Sequence, residues 1–139
     1  MKIVKLNKDA NITRGSSEAA GYDLYSVVTA NIPPHSTVMI STGLSMEIPK
    51  GYFGGIFARS GLATKQGLRP ANCVGVVDSD YRGEVMVALH NDTDTEKVVS
   101  SGDRIAQLVV IPYKEVDLDF VETLDDTERG TGGFGSTGV

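Results

Sequence analysis

The sequence predicts an all-β fold, a sandwich or barrel of short strands, and three observations point there. Sixteen glycines and five prolines stand against four phenylalanines and no tryptophan, a composition rich in turns. Apolar residues recur in short runs separated by turn signals. Only one stretch carries helix punctuation, and it is short.

The elements follow in order. KIVKL (2–6) alternates and reads as a first strand, and residues 7–19 are polar and loop-like. YDLYSVV (22–28) is a strand, and IPP (32–34) a rigid turn. STVMISTGLSMEIP (36–49) reads as two short strands bent at Gly43. YFGGIFA (52–58) is a strand whose two glycines signal a bulge or a close backbone approach. In the following stretch Ser60 is placed to cap a helix over 61–66, which Gly67 ends. VGVVDSDYRGEVMVAL (74–89) reads as a hairpin. Val74, Val76 and Val77 form one arm, Val85, Val87 and Leu89 alternate along the other, and Gly83 sits in the loop. EKVVSS, DRIAQLVVIPY and VDLDFVE supply three further strands. No repeat or internal boundary appears, so residues 1–128 are expected to form one domain. The glycine-rich segment 129–139 has too little apolar surface to order itself.

Bulk composition narrows the function. A chain of 139 residues, 40% hydrophobic and 22% charged, suits one soluble domain with one core. A net charge of −5 with no Lys/Arg run argues against a nucleic-acid polymer as partner. The single cysteine, Cys73, rules out an internal disulfide framework and, among apolar neighbours, is expected to be a small core residue. His35 and His90 lie far apart and are expected on the surface or on strands rather than as zinc ligands. With no apolar leader and no run long enough to span a membrane, a reducing, cytoplasmic location is expected.

Five segments hold chemistry-bearing residues where packing alone does not ask for them. DSDYRG places Asp78, Asp80, Tyr81 and Arg82 in the loop of the predicted hairpin; a solvated turn and a catalytic carboxylate beside an aromatic ring both explain them. Arg59 and Ser60 precede the short helix, as an anion site requires and as a cap and a salt bridge also explain. Asp23 interrupts an apolar strand, and solvent exposure is its plainer reading. Gln107 interrupts another, as an outward residue or as a buried amide with a partner to satisfy. GTGGFG (130–135) matches a dinucleotide fingerprint only formally, because no βαβ unit surrounds it. Its backbone N–H groups, with Ser136 and Thr137, suit phosphate oxygens, and Phe134 suits a ring. An Arg/Ser phosphate site, a loop carboxylate, an amide and a flexible cap with an aromatic ring together make the inventory of a nucleotide hydrolase.

In this order AGYDL, ARSGLA, GVVDSDYRGE, GDRIAQLVV and RGTGGFGSTG resemble the five motifs of the trimeric dUTP pyrophosphatase (dUTPase) family, over nearly the whole chain. The resemblance implies a β jelly roll, a homotrimer with active sites at subunit interfaces, and hydrolysis of dUTP to dUMP and pyrophosphate. Attack falls on the α-phosphorus, with magnesium on the triphosphate. By the same resemblance Asp78 orients and activates the water, and Tyr81 packs under the deoxyribose and discourages a 2′-hydroxyl. Asn72 and the backbone from Gly75 to Val77 read uracil, and Arg59, Ser60, Gly61 and Gln107 contact phosphates. Asp23 reaches magnesium through water. Arg129, Phe134, Gly135, Ser136 and Thr137 belong to a closing arm, with Phe134 over the uracil ring. Gly61 and Ala63 stand where some members carry serine or glycine, which bears on one phosphate contact. Asp80 and Arg82 read as turn or intersubunit residues. The rivals are dCTP deaminase, which shares the fold and uses a ring-facing glutamate, and a jelly-roll binding module, which leaves Asp78 and Tyr81 unexplained.

Overall fold

The computed structural model describes residues 1–138. Eleven strands and one helix follow in order: β1 (Lys2–Lys5), β2 (Ile12–Arg14), β3 (Tyr22–Tyr25), β4 (Ala30–Ile32), β5 (Thr37–Glu47), β6 (Tyr52–Phe57), α1 (Ser60–Gln66), β7 (Leu68–Pro70), β8 (Gly75–Val77), β9 (Glu84–Asn91), β10 (Lys97–Val99) and β11 (Arg104–Pro112). All strand pairs are antiparallel. They build a four-stranded sheet in the order β1-β5-β9-β7, a five-stranded sheet in the order β2-β3-β11-β6-β8, and a β10-β4 pair.

The alternation read from the sequence is what fills the space between the sheets. Val85, Val87 and Leu89 point inward from β9 while Met86 faces out. They share one core with Ile40 and Leu44 of β5, Leu24 of β3, Ile56 of β6, and Ile105 and Leu108 of β11. Fully burying one such side chain contributes roughly 1.5–3 kcal/mol, so this shared layer is the main force joining the sheets. Gly54 and Gly55 mark close approach rather than a bulge, since β6 pairs with β11 without a register shift. A Cβ on Gly54 would stand 2.9 Å from Leu108 Cδ1.

Several expectations are corrected. Residues 74–89 are not a hairpin: β9 has β5 and β7 on its two edges, so β8 pairs with β6 in the other sheet. DSDYRG is therefore a connection between sheets. Residues 36–49 hold one strand rather than two, because Gly43 takes φ +67° inside a register shift between Ser41 and Ser45 that absorbs the bend. Residues 116–122 form no strand: Leu118 is 82% and Phe120 97% exposed, and no ladder partner in the chain covers them. Three-residue strands β2, β4 and β7 lie where a loop, a turn or no element was expected.

Ser60 does not cap α1. Arg59 occupies the cap position with extended backbone, and no side chain caps the helix. Gly67 ends it in the left-handed conformation, as expected. Cys73 is exposed rather than in the core, because it takes φ +61° in the turn between β7 and β8. His90 lies on β9 against Thr37, and His35 lies beside Asp94. Among the described residues no helix is long and apolar enough to cross a membrane.

Candidate functional site

The separation of β8 from β9 opens a cleft. β8 pairs on one edge only, so N–H and C=O groups on its other edge are left for a ligand rather than a strand. The cleft encloses about 290 Å³ and is lined by Asn72, Gly75, Val77, Asp78 and Tyr81, with Glu84 and Met86 of β9 opposite. Gly75 packs tightly here, since a Cβ would lie 3.2 Å from that of Ile56 and 3.4 Å from Asn72 Nδ2. Asp78 follows the last residue of β8 and is exposed. It also lines a wider recess of about 820 Å³ with Lys2, Lys50 and Arg82.

The loop between β8 and β9 is braced from within. Tyr81 N–H donates to Asp78 O (3.2 Å), and Tyr81 Oη donates to Glu84 O (2.9 Å). Arg82 donates to Ser79 O (2.7 Å) and Tyr81 O (3.2 Å) and reaches Glu47 (3.3 Å). Lys2, and after it Arg82, hold the Glu47 carboxyl below its ordinary value. Arg82 thus acts within this chain as a turn brace, while Asp80 lies exposed in the wider recess.

A second group assembles where β3, β11 and β6 run side by side. Gln107 stands opposite Asp23 on one flank and opposite Phe57 on the other. Asp23 is half-buried, with one carboxylate oxygen accepting from Arg59 Nε (3.0 Å) and the other from Arg104 Nη1 (3.4 Å). Gln107 is the satisfied amide: its Nε2 donates to Ala58 O (2.9 Å), immediately before Arg59. Gly21 makes this possible, because a Cβ there would overlap Gln107 Oε1. Ser60 and Gly61 are exposed beside this group.

The third set stands apart. Arg129 Nε donates to Gly132 O (2.7 Å), and Arg129, Ser136 and Thr137 line a shallow concavity of their own. Phe134 is fully exposed, and Gly135 turns with φ +84°. Neither cleft lined by Asp78 includes a residue of this segment. Val139, the last residue of the expected arm, lies outside the described residues.

The chain therefore presents its candidate residues in three places. Val77 faces Gly54, and Gly75 faces Ile56. Asp78 projects past one end of this short ladder, and Arg59 lies three residues past Ile56 at the other. Six residues along an extended strand separate their levels, on the order of 20 Å. The sequence reading missed Arg104, Glu84 and Gly21. Arg104 could have been found from the charge that opens a buried strand; the others act through register and space that no local pattern reveals.

Comparison with known proteins bears on this arrangement. A family model described as dUTPase matches residues 7–138. A Candida albicans protein named deoxyuridine 5′-triphosphate nucleotidohydrolase is 49% identical over 128 residues, covering 91% of this chain and 79% of its own. A Picosynechococcus protein of the same name is 45% identical, covering 100% of this chain and 99% of its own. The solved Staphylococcus bacteriophage 80alpha dUTPase with dUPNHPP superposes with a TM-score of 0.91 at 30% identity, over 99% of this chain and 98% of its own.

Proposed function

Since this chain belongs to the dUTPase family, whose jelly-roll fold it shares, we propose that it hydrolyses dUTP to dUMP and pyrophosphate. The observation that carries the reading is the unpaired edge of β8 opening onto a cleft that also holds Asp78 and Tyr81. A strand edge pairs with the polar edge of uracil much as it pairs with another strand. Backbone from Gly75 to Val77, with Asn72, supplies those donors and acceptors. Cytosine reverses part of the pattern and leaves buried polar groups unpaired, and a 5-methyl group lacks room. Tyr81 lies under the deoxyribose.

Asp78 orients a water and takes its proton as the water oxygen bonds to the α-phosphorus. The bond from that phosphorus to the bridging oxygen breaks, and pyrophosphate leaves. Arg59, Ser60, Gly61 and Gln107 bind phosphate oxygens and offset the charge that accumulates there. Magnesium fits as an ion brought in on the triphosphate. No cluster of three or more His, Cys, Asp or Glu among the described residues could hold a metal. Both Asp23 oxygens already accept from arginines, and their remaining lone pairs suit the waters of a hydrated ion. When bound, magnesium neutralises part of the phosphate charge.

The distance between Asp78 and Arg59 supports a site shared between copies of the chain, as in a homotrimer. Residues 129–139 act as the arm of the 1–128 domain. Phe134 stacks on the base, while Arg129, Gly135, Ser136 and Thr137 close on the outer phosphates and exclude water. A cytoplasmic location suits a substrate of the nucleotide pool.

The test is to mix the protein with magnesium and, separately, dUTP, dCTP, dTTP and UTP, following pyrophosphate and ammonia. Pyrophosphate from dUTP alone is expected. Ammonia from dCTP would move the chain to the deaminase branch, and silence on all four would revive the binding module.

A further inference from the structure

Tyr81 is held by more than its own loop. Its hydroxyl hydrogen is committed to Glu84 O (2.9 Å). Its ring lies so close over Gly83 that a Cβ there would overlap the phenol oxygen. The carbonyl that holds the hydroxyl belongs to the first residue of β9, and that residue is anchored in turn. Glu84 Oε1 accepts from Ser41 Oγ and from Gly43 N–H (2.8 Å), on the shifted stretch of β5. Gly43 is confined there by φ +67°, and a Cβ would stand 2.8 Å from that of Asn7. Thr42 Oγ1 donates to Val85 O (2.5 Å), and Ser45 Oγ donates to Arg82 O (2.6 Å). The bulge of β5 thus grips the end of the loop that carries the ring.

Resting on the reading of this chain as a dUTP hydrolase, we propose that Glu84 is a positioning residue for sugar selection, acting through Tyr81. Its carboxylate ties the start of β9 to the β5 bulge, which sets its own carbonyl as the acceptor for Tyr81 Oη. With its hydrogen taken, the phenol has no proton to donate to a ribose 2′-hydroxyl, and its ring is kept from yielding space to one. A carboxylate in half-buried contact with a hydroxyl and a backbone N–H makes charge-assisted bonds, stronger than neutral ones. An alanine there leaves the bulge donors without an acceptor and frees the carbonyl to move.

The test compares kcat/KM for dUTP and UTP in Glu84→Ala, Glu84→Gln, Tyr81→Phe and the Glu84→Ala/Tyr81→Phe double variant, with the crystal structure of Glu84→Ala. An apolar wall rejects an added hydroxyl by only about a hundredfold, so loosening the ring should raise the UTP/dUTP ratio about tenfold. Tyr81→Phe should do the same, and the double variant should be no worse than the larger single, as expected for residues that act as one unit. Glu84→Gln, which keeps an acceptor oxygen, should restore the wild-type ratio. In the Glu84→Ala structure the ring should have left Gly83. Parallel loss on both nucleotides with an unchanged ratio, additive variants, or a ring unmoved over Gly83 would each overturn the proposal. Should Glu84→Ala not fold, Ser41→Ala removes one anchor and should shift the ratio in the same direction; no shift overturns the proposal. If wild-type protein leaves dUTP intact, the hydrolase reading fails, while the position of the ring still answers for Glu84.

Discussion

Gly21 sets a constraint on the Asp23–Arg59–Gln107 group that has no counterpart in its own chemistry. Any Cβ at this position runs into Gln107 Oε1, and Gln107 Nε2 holds Ala58 O just ahead of Arg59 and Ser60. Gly21→Ala should therefore push Gln107 off Ala58. Losing that part-buried hydrogen bond costs about 0.5–1.5 kcal/mol, readable as a lowered denaturant midpoint. The same change should lower kcat/KM for dUTP by about 10–100-fold, since a 1 Å displacement of positioning groups is worth about 100-fold; unchanged kinetics would remove Gln107 from the site. Gln107 was visible in the sequence as an amide interrupting an apolar strand, whereas Asp23, for which solvent exposure was the plainer reading, is half-buried between two arginines. Glu84 was not visible, since a glutamate opening a strand is ordinary and its two anchors lie on a bulge about forty residues away.

Strand content was legible, and strand partnership was not. Alternation reports which face of a strand is buried and located β1 and β9, although β1 is exposed along its length; short apolar runs between turn signals located β3, β6, β10 and β11. It says nothing about which edge is taken, so two apolar runs joined by a six-residue turn read as a hairpin although β5 and β7 already occupied β9. The error matters because the cleft exists only where that hairpin is not zipped. The same limit explains 116–122, an alternating run that pairs with none of the open strand edges of its own chain. For residues 129–139 the glycine pattern did indicate a segment without a core, and the described part of it forms no strand or helix. Deleting 129–139 should leave the melting temperature within about 1 °C, because no core residue is lost. Turnover of dUTP should fall by about 100-fold or more if the arm excludes water and orders the phosphates. Normal turnover by the truncated chain, checked by pyrophosphate release, would remove the lid role.

One copy of this molecule does not look finished. Val4, Leu6, Met39, Val98, Leu118, Phe120 and Leu124 are all exposed, apolar surface that another copy could cover. Asp78 and Arg59 lie past different ends of the β6–β8 ladder, their levels on the order of 20 Å apart along the strand. The proposed homotrimer would account for both, covering apolar surface and bringing the end of one chain to the opposite end of the next. No local pattern in a sequence encodes such a relation, which is why the fold class could be argued from composition and spacing while the assembly could not. The relation has a consequence that single variants cannot imitate. Asp78→Asn and Arg59→Ala should each be inactive on dUTP as pure proteins. When the two are unfolded together in equal amounts and refolded, three-quarters of the trimers are mixed. Each mixed trimer has one of its sites drawing Asp78 from one chain and Arg59 from its neighbour. Activity should then return to about one quarter of wild type. If Asp78 and Arg59 of a single chain serve the same site, every site in the mixture lacks one of them and activity stays at the level of the separate variants. Size-exclusion chromatography of each pure variant shows whether it still assembles, and pyrophosphate release from the refolded mixture decides between a shared site and a private one.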